Sequence, residues 1–384
     1  MPFMKSKRLL FAGLLLLTVA LLGNGCPLGL NQEAFSELED AGVFDYMGEF
    51  TPISSVDVGN GWTKHTFDTE GGDGPICIVG TPYSVYTRQG NPTKLVIFEQ
   101  GGGACWQDFY FCNPTAEAQA PENAVPAGFN DLENPDNPFA DYSIVYMPYC
   151  DGSVFSGDND VVDPNFPFGP VRFHRGLRNQ SAGMDVAKAE FPYAHKITVA
   201  GHSAGGVGVA GFAPFLARYN YGNFAQLTVF NDAGPVAANL DDTVAIAARA
   251  ADWEFGQFYP VSCTECDDMG QSTPIIDWRL NNDNTIREAF YSTDGDATDR
   301  FFLGIPTQEE YRELIVTEHG LLNAAHPYRY KAFILSGDDE HGAIQRPDFY
   351  TAEIDGVFLS DWTSDFVKRL PFWQHIVQDF IPIP

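Results

Sequence analysis

The sequence predicts an α/β fold, a doubly wound and mostly parallel sheet, and three observations carry that expectation. Short apolar, β-branched runs (Lys94–Glu99, Lys196–Ala200, Leu227–Asn231, Tyr330–Leu335) alternate with stretches whose apolar residues recur at three- and four-residue spacing, as buried strands joined by packed helices do. One of these runs, KITVA, passes through Gly201-His202-Ser203-Ala204-Gly205-Gly206 into the Ala-rich stretch Val207–Tyr219, which reads as one helix. Another, KLVIFE, runs straight into Gly101-Gly102-Gly103-Ala104-Cys105-Trp106. With 384 residues and 44% apolar content, the chain is long enough to bury a full core.

Residues 1–25 fall outside that fold. Lys5, Lys7 and Arg8 precede an apolar run, Leu9–Leu22, that is too short for a comfortable membrane span and suits an export signal. Leu22-Gly23-Asn24-Gly25 before Cys26 resembles a bacterial lipoprotein cleavage box, with Gly23 where that box usually carries Leu. Cys26 is therefore expected to bear a lipid anchor as the new N-terminus, with ordinary secretion as the alternative. Either route exports the protein. Removing the segment takes away three cations and no acid, so the net charge moves from −29 to −32. Such a charge argues against nucleic acid and anionic membrane surfaces as partners, and it repels anionic polymers at long range.

Six further cysteines, an even number in an exported chain, read as disulfides. The simplest pairing joins Cys105 to Cys112 and Cys263 to Cys266, leaving Cys77 with Cys150. No second pair or nearby His completes a zinc site around Cys263-x-x-Cys266, and neither a metal nor a cofactor is expected.

In chain order, residues 26–50 read as a tether and N-terminal segment with a helix over Glu33–Glu39. Residues 51–384 read as a single domain. It opens with an antiparallel edge hairpin over Gly61–Tyr86 and, after the glycine loop, a long Pro- and Asn-rich loop at 113–140, a candidate rim. A strand over Asp141–Tyr149 and a helix running to Phe191 follow. Residues 240–285 are helical and aromatic, most simply a cap inserted over the site. A strand over Thr285–Ser292, a helix over Thr307–Asn323, the last strand and a helical tail, Gly356–Phe380, complete the chain.

Gly201-His202-Ser203-Ala204-Gly205 has the G-x-S-x-G pattern of a nucleophile elbow, in which flanking glycines let strand and helix approach without a Cβ between them. Ser203 then projects its hydroxyl where backbone N–H groups and the helix dipole favour a developing anion. The bland alternative is a Gly-rich turn with a structural serine. A glycine loop after an earlier strand is where oxyanion-binding N–H groups are found in such folds.

Four stretches together, Gly101-Gly102-Gly103-Ala104-Cys105, Tyr149-Cys150-Asp151-Gly152-Ser153 with Ser156-Gly157-Asp158, Phe173–Arg178 and Gly201–Gly206, resemble in order and spacing the motifs of the pectin acetylesterase/Notum family, and Asp232-Ala233-Gly234 resembles a fifth. The resemblance runs from about Val96 to Trp362, is thin after residue 240, and is that of a bacterial, exported member. It implies an α/β-hydrolase without cofactor that cleaves carboxylic esters. The chain departs from the family at Ala104, where relatives carry tryptophan, and at His202, where they often carry a small residue.

A serine nucleophile needs a base working near its own pKa, usually His, and in α/β-hydrolases the order is Ser, acid, His. Of the histidines beyond the elbow in plausible loops, His319, His326 and His341, the last lies in a turn-rich loop after YKAFIL and is the expected base; His202 reads as packing or rim. The resemblance to the family's strand-then-Asp segment implies the acid at Asp296, with Asp299 next and Asp294 third. Oxyanion donors are expected from the N–H groups of Gly103, Ala104 and Ala204, and substrate contacts from Trp106 and Ser153, with Phe109, Tyr110, Phe111 and Phe155 as nearby aromatics. The resulting expectation is a monomeric serine esterase acting on acetyl groups, on a neutral O-acetylated polysaccharide or a small ester. A lipase or polyester depolymerase, and a non-catalytic cell-surface binding protein on a hydrolase fold, are the alternatives.

Overall fold

The computed structural model describes residues 29–383 except 70–71, 117–119, 122–123, 125 and 268. The export segment and Cys26 lie outside the described residues. In chain order the elements are α1 (Gln32–Asp40), β1 (Ser54–Gly59), β2 (Trp62–Thr66), β3 (Ser84–Arg88), β4 (Asn91–Glu99), β5 (Gly103–Trp106), β6 (Phe109–Cys112), β7 (Tyr142–Met147), β8 (Asn159–Val162), β9 (Val171–His174), α2 (Gly176–Glu190), β10 (Lys196–His202), α3 (Ala204–Ala210), α4 (Ala213–Tyr221) and β11 (Gln226–Asp232). Then follow α5 (Thr243–Trp253), α6 (Thr273–Asn282), β12 (Arg287–Thr293), α7 (Ala297–Leu303), α8 (Gln308–Ala325), β13 (Tyr330–Leu335), the short β14 and β15 (Glu353–Ile354, Val357–Phe358), α9 (Leu359–Val367) and β16 (Ile376–Val377).

Ten strands form the central sheet in the order β1-β2-β3-β7-β4-β10-β11-β12-β13-β16. Strands β1 to β3 add an antiparallel edge, and from β7 to β16 every pair is parallel. Side chains of a strand alternate between faces, and β4 shows the result. Leu95 and Ile97 enter the core under α2 and α4, while Val96 and Phe98 enter a second core with Phe129, Ile344 and Trp362. Both faces are covered, which explains why the central strands are apolar almost throughout.

Four local expectations need correction. The stretch after the elbow is two helices, broken at Gly211 and Phe212, with Pro214 in the first turn of α4. The carbonyls freed at the break are taken by Arg279, whose guanidinium donates to Gly211 O (2.8 Å) and Ala210 O (3.0 Å) while pairing with buried Glu288 (2.7 Å). The described part of 113–140 is not a rim: Phe129 and Phe139 are buried in the second core. The tail is helical only over α9, and β16 then joins the sheet edge beside β13. Residues 29–50 are no loose tether, since Leu30, Leu38, Val43 and Met47 belong to the first core. The three disulfides join Cys77–Cys150, Cys105–Cys112 and Cys263–Cys266, the pairing expected from spacing.

Glu99 ends β4 fully buried, its Oε1 accepting from Gln180 Nε2 at 2.8 Å. Burial, reinforced by nearby Asp151, pushes its carboxyl well above the usual range against the pull of that hydrogen bond. Below the usual carboxylate range the group is protonated in both states. As pH rises above it, the unfolded chain ionises first and the native protein loses about 1.4 kcal/mol per pH unit until the raised value is reached. Glu99→Gln, which carries no titration, is expected to match the parent in urea midpoint near pH 4 and exceed it increasingly toward pH 8.

Candidate active site

Strand β10 lies between β4 and β11, with Gly201 opposite Glu99 and His202 opposite Asp232. The chain then turns at Ser203, whose backbone takes φ 55° and ψ −120° and whose N–H donates to the Asp232 carbonyl at 2.8 Å. A non-glycine residue in such a conformation carries about 1–3 kcal/mol of strain and persists only where its surroundings enforce it. Here the enforcement is close packing. A Cβ on Gly201 would strike the Gly205 carbonyl, one on Gly205 the Glu99 carbonyl, and one on Gly206 the backbone of Gly234. These glycines serve approach: strand, turn and helix touch backbone to backbone.

Asp296 follows β12 and caps α7, its Oδ1 accepting from Thr298 N (3.0 Å) and Asp299 N (2.9 Å). Its Oδ2 lies 2.7 Å from His341 Nδ1, on the loop after β13. The two loops are tied by Thr293 Oγ1 donating to Glu340 O (2.9 Å) and by Ala297 N donating to Asp339 O (3.0 Å). The other ring nitrogen, His341 Nε2, is buried without a hydrogen-bond partner, a nitrogen available to a third group. Ser203, Asp296 and His341 thus follow the carboxyl ends of β10, β12 and β13, within one stretch of the parallel sheet.

The other acids of this region hold different positions. Asp299 Oδ1 is 3.6 Å from His341 Nδ1, and its Oδ2 accepts from Tyr311 Oη at 2.7 Å. Burial first and the charge of Asp296 second push the Asp299 carboxyl well above its usual range. Asp294 is bound by Arg312 (2.6 Å) and Gln308 (2.7 Å) and faces away from the imidazole. His319 is buried and stacked on Phe290, and His326 pairs with Asp277 at 2.7 Å. Ligand atoms of Asp296, Asp299 and His341 lie within 4.8 Å of one another, a closeness that the His–carboxylate hydrogen bond itself produces. Cys263 and Cys266 are bonded to each other rather than offered to a metal.

A second His–Asp pair adjoins the first. His202 Nδ1 lies 2.7 Å from Asp232 Oδ2, and the ring centroids of His202 and His341 are 4.9 Å apart. Asp232 also accepts from Ala343 N (2.9 Å) and Ile344 N (3.2 Å). It therefore pins the segment just after His341 to the strand end beside Ser203. From the sequence alone His202 reads as packing or rim, and Asp232 stands only within the Asp232-Ala233-Gly234 motif. Their strand-end opposition is visible only once β10 and β11 are known to pair in this register.

Beside Ser203 opens an apolar cavity of about 110 Å³. Gly103, Ala104, Trp106, Ser203 and Ala204, all expected at the site, line it. The segment 243–282 supplies much of the opposite wall, through Arg249, Trp253, Phe255, Tyr259 and Ser272. Trp253 Nε1 donates to Cys105 O at 2.8 Å and ties this wall to the glycine loop. Ser153 does not reach the cavity. It is fully buried, and its N–H and Oγ both donate to Asp151 Oδ2 (2.9 and 2.7 Å), so it closes the Cys-Asp-Gly-Ser turn rather than meeting substrate. Phe155 is likewise buried, and Tyr110 packs on Phe166 away from the cavity. Arg249 was not singled out from the sequence, because no motif surrounds it.

The pectinacetylesterase family model matches residues 63–243. Among solved structures, the chain is similar to the Wnt deacylase Notum from Drosophila, with a TM-score of 0.59 and 16% sequence identity over 87% of this chain and 98% of that one. No curated protein matches.

Proposed function

We propose that this chain, whose residues 63–243 match the pectinacetylesterase family model, is a carboxylic ester hydrolase that cleaves short-chain esters by a serine mechanism. The observation that supports this reading is the strained turn of Ser203 after β10 together with the Asp296–His341 pair, 2.7 Å apart, on the loops after β12 and β13 of the same parallel sheet. Ser203 Oγ attacks the ester carbonyl while His341 Nε2 takes its proton. Asp296 holds Nδ1 and steadies the imidazolium. N–H groups of Gly103, Ala104 and Ala204 receive the oxyanion, each such donor contributing about 3 kcal/mol to the barrier reduction. The proton then passes from His341 to the leaving alcohol, and water, activated by the same imidazole, frees the acid from Ser203.

The acyl group is assigned to the cavity. An apolar cavity of about 150 Å³ suffices for benzene, so one of about 110 Å³ suits an acyl chain up to about four or five carbons. Acetyl fits with room to spare and palmitoyl does not fit. On the alcohol side, Phe111 and Phe301 are more than half exposed with ring centroids 5.4 Å apart, and Phe301 adjoins Phe302 in the cavity wall. Such a pair suits stacking on a sugar ring, which supports an acylated glycan. The three disulfides support export to an oxidising compartment. Among the described residues no helix is long and apolar enough to cross a membrane, and membrane attachment is assigned to a lipid on Cys26 of a monomeric protein.

The test is hydrolysis of p-nitrophenyl esters from acetate to palmitate by the protein and its Ser203→Ala variant. Acetate to valerate should turn over with similar kcat/KM, and palmitate at least about 100-fold more slowly. Ser203→Ala should lose at least about 10⁴-fold in kcat. Retained activity in that variant removes the serine mechanism, and equal turnover of palmitate removes the short-chain assignment.

A further inference from the structure

Arg249 lines the cavity beside Ser203 and pairs with no anion among the described residues. It projects from α5, and its guanidinium lies over the ring of Trp106, 5.3 Å from the centroid. No salt bridge or hydrogen bond joins it to another described residue; the carboxylate of Asp242, which caps the start of α5, acts on it only through space. Three buried arginines are treated differently. Arg172, Arg218 and Arg279 each pair with a buried carboxylate at 2.6–2.9 Å. Placing a guanidinium in an apolar wall without a counter-charge is costly, and the cost is recovered when a ligand brings the anion. Burial pushes the Arg249 pKa below its ordinary value, yet the group remains charged at neutral pH. The acid of the lining, Asp299, has its carboxyl pushed toward the neutral form by burial and by Asp296. Among the described lining residues Arg249 is the one cationic group.

The cavity's position fixes which part of a substrate meets that charge. In the proposed mechanism the alcohol leaves with the proton from His341, and His341 is not among the residues that line the cavity. The walled space beside Ser203 therefore takes the acyl part. In a cavity of about 110 Å³, an acyl chain of four or five carbons spans the interior, so its far end comes against a lining residue.

We infer that Arg249 binds a carboxylate at the end of the acyl chain, and that the preferred substrates are hemi-esters of short dicarboxylic acids such as succinate or glutarate. This deepens the ester-hydrolase reading and rests on it. The reaction is unchanged in balance: hemi-ester monoanion and water give the dicarboxylate dianion, the free alcohol and one proton released to solvent, and the distal carboxylate keeps its charge throughout. A planar guanidinium already stacked on Trp106 offers a two-pronged, pre-oriented partner for such a group.

The experiment compares p-nitrophenyl hemiglutarate with p-nitrophenyl valerate, acyl chains of equal length that differ in a terminal carboxylate against a methyl. The protein should favour hemiglutarate by at least roughly tenfold in kcat/KM, despite its overall negative charge, and Arg249→Met should bring the ratio to about one or below. A third ester, acetyl glycolate, carries its carboxylate on the alcohol. If Arg249→Met depresses that substrate and leaves the hemiglutarate-to-valerate ratio untouched, the anion belongs to the alcohol and the inference is overturned. A wild-type ratio near one overturns it equally. Should the variant fail to fold, inhibition of wild-type valerate hydrolysis decides: glutarate should inhibit at least roughly tenfold more tightly than glutaramide, and equal inhibition refutes the site. Absence of valerate turnover in the wild-type protein would sink the esterase reading instead, a result separable from all of these.

Discussion

Asp296→Asn is expected to lower kcat for a short p-nitrophenyl ester by about 10⁴-fold, with KM little changed. An amide at this position would still cap α7 through its oxygen, so the fold should survive. What fails is the imidazole: the amide can present N–H to Nδ1, which favours the tautomer with its proton on the side facing Ser203. Asp299→Asn supplies the contrast. Burial and Asp296 push the Asp299 carboxyl toward its neutral form, and its Oδ2 sits 2.7 Å from the Tyr311 hydroxyl. An amide is close in shape and charge to a neutral acid, so this variant should keep kcat within about tenfold. If the two losses are exchanged, Asp299 is the acid of the triad and the 3.6 Å separation from His341 closes when substrate binds. Steady-state kinetics on the pair, with circular dichroism to verify folding, separates the cases.

Arg279→Met is expected to destabilise the protein by about 3–5 kcal/mol, read as a fall in urea midpoint at constant slope. Its guanidinium is 1% exposed and pairs with Glu288, 3% exposed, through two hydrogen bonds of 2.7 and 2.8 Å. The same group satisfies two carbonyls where α3 stops. Methionine fills the volume but strands a buried carboxylate and both carbonyls. The double variant Arg279→Met/Glu288→Leu removes the stranded charge and should recover more than half of the loss. The remainder measures the carbonyls, at roughly 1–3 kcal/mol for each unsatisfied group. A single variant as stable as the parent would mean that water replaces the guanidinium at the helix break.

The sheet and the elbow were legible in the sequence because local signals agreed there. Strand periodicity, glycines at fixed offsets and an apolar helix followed one another without interruption through Lys196–Tyr219. The break inside that stretch was less legible, since Gly211 and Pro214 are each tolerated within or at the start of a helix and only Arg279, 65 residues beyond Pro214, completes the turn. His341 could be chosen from its loop. Asp294, Asp296 and Asp299 share one loop as well, but the aim of a carboxylate depends on which one caps α7 and which one meets Arg312, and local spacing encodes neither. Ser153 shows the opposite failure. Its motif is distinctive, yet the distinctiveness belongs to Asp151, which gathers the N–H groups of Ser153 and Phe155 and the Ser153 hydroxyl around one buried oxygen. Arg249 lay in the stretch read as a cap, where nothing but its eventual lack of a partner marks it.

The amide of Ser203 donates to Asp232 O at the middle of the ten-stranded sheet. That bond links the reactive residue to β11, whose residues from Leu227 to Asp232 are all buried. Its deuterium uptake should accordingly be among the slowest in the chain, proceeding only through global unfolding, while amides of the exposed 264–267 turn exchange within seconds to minutes. The serine that does the chemistry would then report the stability of the entire domain. Any variant that loosens the sheet, however distant, should register first as faster exchange at this one amide.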